Sequence, residues 1–223
     1  MSTRLTAVVV EPTGTARAAV IWLHGLGADG HDFAPIVPEL ELPTELGVRF
    51  VFPHAESIPV TVNGGYVMPA WYDIREIDLQ RRHDEPGVRR SAARIEAAIA
   101  HEVEQGVPAE RIVLAGFSQG GAVAAFTALR HEQRLAGAVL LSTYLIGADS
   151  LAAEGAAANR SLPILQAHGT ADPIVPLARG AASSELLRAH GCRVDFRSYA
   201  MAHTVCAEEI EAIGTFLRQV LAD

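Results

Sequence analysis

The stretch Val113-Leu-Ala-Gly-Phe-Ser118-Gln-Gly-Gly121-Ala-Val-Ala-Ala-Phe126 decides how the rest of the chain is read. An apolar run short enough for one buried strand breaks at Gly116, presents a single hydroxyl at Ser118, and resumes after Gly120 and Gly121 as an apolar, Ala-rich helix. The pattern is strand, sharp turn, helix. A serine in such a turn has a strained backbone, so small residues are needed two positions before and after it, and Gly116 and Gly120 stand there. The expectation is a nucleophile elbow. Chance produces a G-x-S-x-G in about 7% of chains of this length and glycine content, so the motif needs support from elsewhere. The competing reading makes Ser118 the N-cap of an ordinary helix.

With 223 residues, 49% of them hydrophobic, the chain can form a large core without covalent staples and is expected to be one domain, 1–223. No apolar run approaches the roughly 18 residues of a spanning helix, and only a short apolar segment precedes Glu11. Neither stable membrane insertion nor a signal peptide is expected. Cys192 and Cys206, the two cysteines, supply no disulfide framework and no spaced metal set, which suits a reducing, cytoplasmic setting. A net charge of -8 argues against nucleic-acid binding, which depends on Lys and Arg neutralising phosphates. The one basic cluster, Arg75, Arg81, Arg82, Arg89, Arg90 and Arg94, is interleaved with Glu76, Asp78, Asp84 and Glu85 and reads as a solvated mixed-charge face.

Continuous apolar runs of strand length fall at 5–10, 18–23, 48–53, 112–115, 135–142 and 162–167. Helical patterns alternate with them: a short one at 32–40, an amphipathic one at 87–105 carrying Val88, Ala92, Ile95, Ile99 and Val103, and others at 177–190 and around Ile210, Ile213, Leu217 and Val220. This alternation predicts an α/β fold with a mostly parallel sheet covered on both faces. The run 192–199 instead sets Val194 and Phe196 against Arg193, Asp195 and Arg197, as an edge strand would. From His54 to Leu79 the sequence is irregular and aromatic, with a tight turn expected at Asn63-Gly64-Gly65, and so long an excursion is usually functional.

Ligands of parallel α/β sheets bind beyond the carboxyl ends of the strands, so polar residues should converge there. An elbow serine needs a base and an acid, in the chain order Ser, Asp or Glu, His. His203 lies in the loop between the last strand and the last helix and is the candidate base. His131 and His190 end helices, where an imidazolium suits the helix dipole at His190, and His168 packs at a strand end. Asp172, in His168-Gly-Thr-Ala-Asp-Pro173, is the candidate acid, with an Asx-type turn as its structural alternative and Asp149 as runner-up. The oxyanion donors are expected to be the backbone N–H of Gln119 and that of Leu26, in the glycine-rich loop His24-Gly-Leu-Gly-Ala-Asp-Gly30.

Four segments, His24 to Phe33, Gly116-Phe-Ser-Gln-Gly-Gly121, His168-Gly-Thr-Ala-Asp-Pro-Ile-Val175 and Tyr199-Ala-Met-Ala-His203, resemble the carboxylesterase and acyl-protein thioesterase family, also described as phospholipase/carboxylesterases. The resemblance covers nearly the whole chain. It implies an α/β-hydrolase fold without a separate cap domain, the triad Ser118, Asp172 and His203, and oxyanion donors at Leu26 and Gln119. It also places Leu26, Phe33, Met68, Trp71, Leu145 and Val175 around an acyl groove, where each residue taken alone reads as core. A homodimer is implied as well. The segment from Asn63 to Ile74 is most similar to the bacterial carboxylesterases, whereas Pro69 resembles the eukaryotic thioesterases, and Ala202 stands where many relatives have glycine.

The expected activity is therefore a serine carboxylesterase acting on short to medium acyl esters, possible also on thioesters, through an acyl-enzyme. Acyl-protein thioesterase and lysophospholipase are the enzymatic alternatives, and a non-catalytic hydrolase-fold binding protein is the alternative of another class. No H-E-x-x-H or clustered ligand set occurs, so neither metal nor cofactor is expected.

Overall fold

A computed structural model describes residues 6–75 and 84–222. Leu5 of the first expected strand, Leu79, and Glu76, Asp78, Arg81 and Arg82 of the charged cluster lie outside them. In chain order the elements are β1 (Ala7–Val10), β2 (Ala18–Leu23), β3 (Val48–Pro53), β4 (Ser57–Val60), β5 (Tyr66–Pro69), α1 (Glu85–Glu104), β6 (Ile112–Phe117), α2 (Gln119–Ala128), β7 (Gly137–Leu141), α3 (Ala148–Glu154), β8 (Pro163–Gly169), α4 (Leu177–His190), β9 (Arg193–Tyr199) and α5 (Ala207–Val220).

Seven strands form one sheet in the order β1-β3-β2-β6-β7-β8-β9. Within this sheet, among the described residues, only β1 runs antiparallel to its neighbour and the other pairings are parallel. Strand order reverses between β2 and β6, and a crevice at such a switch point is where open α/β sheets bind ligands. Both faces of the sheet are covered, so β2, Ala-Ala-Val-Ile-Trp-Leu, is buried at every residue. Its odd-numbered residues Ala19, Ile21 and Leu23 join the core beneath α1, α2 and α4. Ala18, Val20 and Trp22 join the opposite core with Phe50, Phe52 and, from α5, Ile210, Ile213 and Leu217. The edge strand β9 pairs only with β8 and keeps Arg193, Asp195 and Arg197 exposed, as its alternation predicts.

α2 is buried along its whole length and packs on β6, β7 and α1. Small residues at Gly120, Gly121, Ala122, Ala124 and Ala125 permit that close approach. In α1 the residues Val88, Ala92, Ile95 and Ile99 are buried as the spacing predicts, but Val103 is exposed. Glu102 turns inward in its place, because Arg49 Nη1 meets its carboxylate at 2.9 Å.

Three local expectations are corrected. The helix expected at 32–40 is a 3-10 helix, Ala34–Leu40, in which Pro38 removes a donor that an α-helix would use, whereas Pro35 stands in the first turn, where no donor is needed. The irregular stretch after His54 contains an antiparallel hairpin, β4 with β5, whose turn places Gly64 and Gly65 at φ +66° and +79°. Asp149 lies in the first turn of α3 rather than in a loop. Cys192 and Cys206 are both free, and burial pushes the Cys192 thiol up to about 11. Among the described residues of the charged cluster, Arg75, Arg89, Arg90 and Arg94 each face an acid, as a mixed-charge surface requires.

Candidate active site

Ser118 follows β6 at φ 53° and ψ -119°, a conformation that costs a non-glycine residue about 1–3 kcal/mol. Surrounding bonds hold it there. Its N–H donates to Leu141 O at 2.8 Å, and its carbonyl accepts Thr143 Oγ1 at 2.6 Å. The two motif glycines have separate steric causes. A Cβ on Gly116 would lie 2.5 Å from Gly120 C, and one on Gly120 would lie 2.4 Å from both His24 O and Leu23 O. The turn therefore fits against the loop after β2 only without side chains. Ser118 stands at the N-cap position of α2 but makes no side-chain cap to it; its Oγ lies 2.9 Å from His203 Nε2 instead.

His203 lies in the loop between β9 and α5, and its Nδ1 is 2.7 Å from Asp172 Oδ2. The other carboxylate oxygen, Oδ1, accepts the Ile174 and Val175 N–H groups at 2.8 and 2.9 Å. Asp172 is thus an Asx-type turn residue and the partner of a histidine at once, with one oxygen for each task. Its side chain is fully buried, so these donors replace the water it has lost. Phe117 packs its ring against His203 with centroids 4.7 Å apart, and Phe33 packs behind Phe117 at 5.6 Å.

The two proposed oxyanion donors stand at the ends of β2 and β6. The Gly27 and Ala28 N–H groups are occupied by Pro69 O and Gly25 O, while the Leu26 N–H has no acceptor among the described residues. Gln119 opens α2, where a first-turn N–H has no intrahelical acceptor. Its side chain clamps the segment after β5: Oε1 accepts Trp71 N–H at 2.9 Å and Nε2 donates to Tyr72 O at 2.7 Å. Trp71 Nε1 in turn donates to His24 O at 2.9 Å. His24 Nδ1 donates to Gly25 O and its Nε2 accepts Ala55 N–H, so the ring is neutral with its proton on Nδ1; burial lowers its proton affinity in the same sense.

Ser118, Gln119 and His203 open onto a cavity of about 270 Å³. Its apolar walls are Leu26, Ile74, Phe117, Tyr144, Ile174 and Val175. Of the residues expected around an acyl groove, Leu26 and Val175 are therefore in place, and Phe33, Met68, Trp71 and Leu145 are not among the lining residues. Phe33 is used behind Phe117 and against Trp22, and Trp71 is buried as an anchor for the loop after β2. Met68 Sδ packs beside Gly27, and Leu145 lies toward α4, where its N–H donates to Ser183 Oγ. Ile74, Phe117, Tyr144 and Ile174 were missed by sequence reasoning; the only signal was adjacency, as Phe117 abuts Ser118 and Ile174 lies between Asp172 and Val175.

The remaining histidines have other partners. His168 is fully buried, lies 3.6 Å from Asp172 Oδ2 and donates its Nε2–H to Val175 O at 2.8 Å, while burial lowers its proton affinity. His131 contacts Glu96 at 2.6 Å. At His190, burial and then Arg160 and Arg130 lower the proton affinity, which corrects the expectation of an imidazolium serving the helix dipole. The expectation that no clustered ligand set exists is also corrected: Asp29, His31 and His54 come together, a grouping hidden by the distance between them in the chain.

The loop bearing His203 ends at α5, where Cys206 is the N-cap and Glu209 the third helical residue. Glu209 is fully buried, its carboxylate oxygens have no well-formed hydrogen bond among the described residues, and burial, opposed by the nearby Cys206 backbone N–H, pushes its pKa up to about 8. In the unfolded chain the same carboxyl ionises near 4.5. Between those values the unfolded state releases a proton that the folded state retains, so stability falls as pH rises through this window, by about 1.4 kcal/mol per unit. Glu209→Gln removes the proton. Denaturant unfolding at pH 5 and at pH 8 should show the variant gaining on the wild type by several kcal/mol at the higher pH, and an equal difference at both would show that the carboxyl does not titrate there.

Comparison with known proteins fits this geometry. Residues 5–221 match the family model described as phospholipase/carboxylesterase. The chain is 41% identical to acyl-protein thioesterase 1 of Neurospora crassa, over 96% of this chain and 91% of that protein. It is 37% identical to acyl-protein thioesterase 1 of Gibberella zeae, over 99% and 97% respectively. The crystal structure of Zea mays acyl-protein thioesterase 2 superposes with a TM-score of 0.86 at 30% identity, covering 97% of this chain and 99% of that one. The Bacillus cereus carboxylesterase, at 18% identity and a TM-score of 0.76, shares the fold. The chain belongs to the phospholipase/carboxylesterase family of serine hydrolases with the α/β-hydrolase fold.

Proposed function

We propose that this enzyme cleaves acyl thioesters and esters through an acyl-enzyme at Ser118, with an acyl group on a protein cysteine as the favoured substrate. The observation that carries the reading is the hydrogen-bonded series Ser118 Oγ, His203, Asp172 beside two backbone N–H groups that lack acceptors among the described residues. In this mechanism His203 Nε2 takes the proton as Oγ attacks the acyl carbon. The developing oxyanion is held by the Leu26 and Gln119 N–H groups, whose clamped loops need no rearrangement as charge appears, a contribution worth a few kcal/mol per donor. Asp172 holds the imidazolium, which then protonates the departing thiolate or alkoxide. Water repeats the sequence and releases the acid.

The protein-thioester preference is supported by the fungal relatives at 37–41% identity, whose names carry that activity. A second reading, a carboxylesterase for short to medium acyl esters, is favoured by the cavity, since about 270 Å³ falls just below the ~300–1,000 Å³ typical of ligand sites. An acyl series from C2 to C16, presented as oxoester, as peptide thioester and as lysophospholipid, separates these. The proposal predicts kcat/KM highest for a long-chain peptide thioester. A maximum at a short oxoester supports the second reading, and turnover confined to the lysophospholipid overturns both. The homodimer implied by the family resemblance is checked by light scattering.

Among the described residues no helix is long and apolar enough to cross a membrane.

A further inference from the structure

We propose that Asp29, His31 and His54 bind a divalent transition-metal ion such as zinc, and that an ion held there releases the loop carrying the Leu26 N–H. One ligand atom from each of the three residues lies within 4.8 Å of the others. Zinc bonds of about 2.0–2.2 Å to nitrogen and oxygen bring ligand atoms to roughly 3.5 Å from one another, so the set has to close by about an ångström. Two of its members have room to move, because the Asp29 and His31 side chains are 54% and 73% exposed, and the Asp29 oxygen that accepts the His31 N–H at 2.7 Å leaves the other oxygen for an ion. The third is fixed: the His54 N–H donates to Thr6 O at 2.9 Å and its carbonyl accepts Arg94 Nη2 at 3.4 Å. Two imidazoles and one carboxylate suit zinc, copper or nickel rather than the oxygen-seeking magnesium or calcium.

The hydrogen bonds already present give this set its consequence. His31 Nδ1 faces Asp29 Oδ1 at 3.0 Å, so a proton on that nitrogen leaves the Nε2 lone pair for a metal, with the carboxylate orienting the ring. His54 is different, because its Nδ1 accepts the Gly30 N–H at 3.1 Å. A metal bound at Nδ1 takes the lone pair that this bond uses. A metal bound at Nε2 forces the ring proton onto Nδ1, where it faces the Gly30 N–H. Either way the bond to Gly30 is lost. Gly30 closes the loop that begins at His24, and it lies so near β3 that a Cβ there would be 2.3 Å from Phe52 O. Ala28 and Asp32, which flank Asp29 and His31, line the cavity with Ser118. Metal occupancy and the bond from Gly30 to His54 therefore exclude one another, so an ion removes one anchor of the loop, and two events so linked must oppose each other reciprocally.

The test is calorimetric titration of zinc chloride into the metal-free protein, with the same titration followed during ester turnover. One ion should bind, and kcat should fall about fivefold or more with KM little changed, a typical size for such coupling. A chelator should restore kcat. Magnesium should do neither. His31→Ala and Asp29→Asn alter exposed side chains outside the catalytic set and should keep basal kcat while losing zinc affinity by about tenfold or more. Absence of zinc binding to the wild type overturns the proposal, as does inhibition that both variants retain, which would place the ion at His203 or Cys206. Binding without any change in kcat overturns the link to the loop. That link rests on the proposed oxyanion role of Leu26, whereas the heat of binding does not, so the two failures are distinguishable.

Discussion

Ser118→Ala should lower kcat for any ester or thioester substrate by roughly a millionfold, the size expected when the nucleophile of an acyl-transfer unit is removed, which is about 8 kcal/mol of transition-state stabilisation. A residual rate is expected from the proposed oxyanion donors and binding. The same position yields a second measurement, because its φ of 53° is unfavourable for any residue with a Cβ. Ser118→Gly loses activity equally but relieves that strain, and it should melt a few degrees above Ser118→Ala, a gain of about 1 kcal/mol. Steady-state rates and thermal unfolding of both variants check this, together with labelling of the wild type by a fluorophosphonate. Retained turnover in either variant would place the nucleophile elsewhere; equal melting temperatures would mean that the elbow stores no strain.

Asp172→Asn should cost about ten-thousandfold in kcat while leaving stability nearly unchanged. The reason is the division of labour between its oxygens. An asparagine carbonyl can accept the Ile174 and Val175 N–H groups as Oδ1 does now, so the turn after β8 survives. The amide nitrogen then faces His203 Nδ1 as a donor, in place of the Oδ2 that accepts from it at 2.7 Å. Nδ1 must become an acceptor and the ring proton moves to Nε2, where it points at Ser118 Oγ and cannot receive a proton. Asp172→Ala separates the two tasks. It loses the turn acceptor as well, leaves the N–H of the buried Val175 without its partner while that of the exposed Ile174 can turn to water, and should lower stability by about 1–3 kcal/mol besides losing activity. Urea unfolding beside steady-state kinetics distinguishes the two variants, and an Asp172→Asn protein that turns over normally would remove Asp172 from the reaction.

Much of this arrangement is legible in the chain because it rests on local rules. Gly116 and Gly120 around Ser118 report a turn whose steric needs lie within a few residues. The uninterrupted apolar run of β2 and the alternation of β9 report the difference between a central and an edge strand. Asp172 could be read as a turn residue or as an acid, and its two oxygens leave room for both, one in the turn and one against His203. The walls of the cavity were less legible. Trp71 and Phe33 are large and apolar and fall in segments that suggest an acyl groove, yet one anchors His24 O and the other supports Phe117, because a buried aromatic ring serves packing as readily as a surface. Glu209 carries no sign in the sequence that its carboxyl is enclosed, and Glu102 interrupts an otherwise apolar stripe for an arginine that comes from β3.

By itself the sequence determined the α/β architecture, the elbow at Ser118 and the chain order of Ser118, Asp172 and His203, since periodicity, glycine placement and order are properties of neighbours along the chain. Only the tertiary structure decided how Gln119 clamps Trp71 and Tyr72, how His24 and His54 pin the loop around Leu26, and which side chains face the cavity. Those contacts join strands and loops that are far apart in sequence, and their geometry follows from sheet order and from the packing of both sheet faces, which no local pattern encodes.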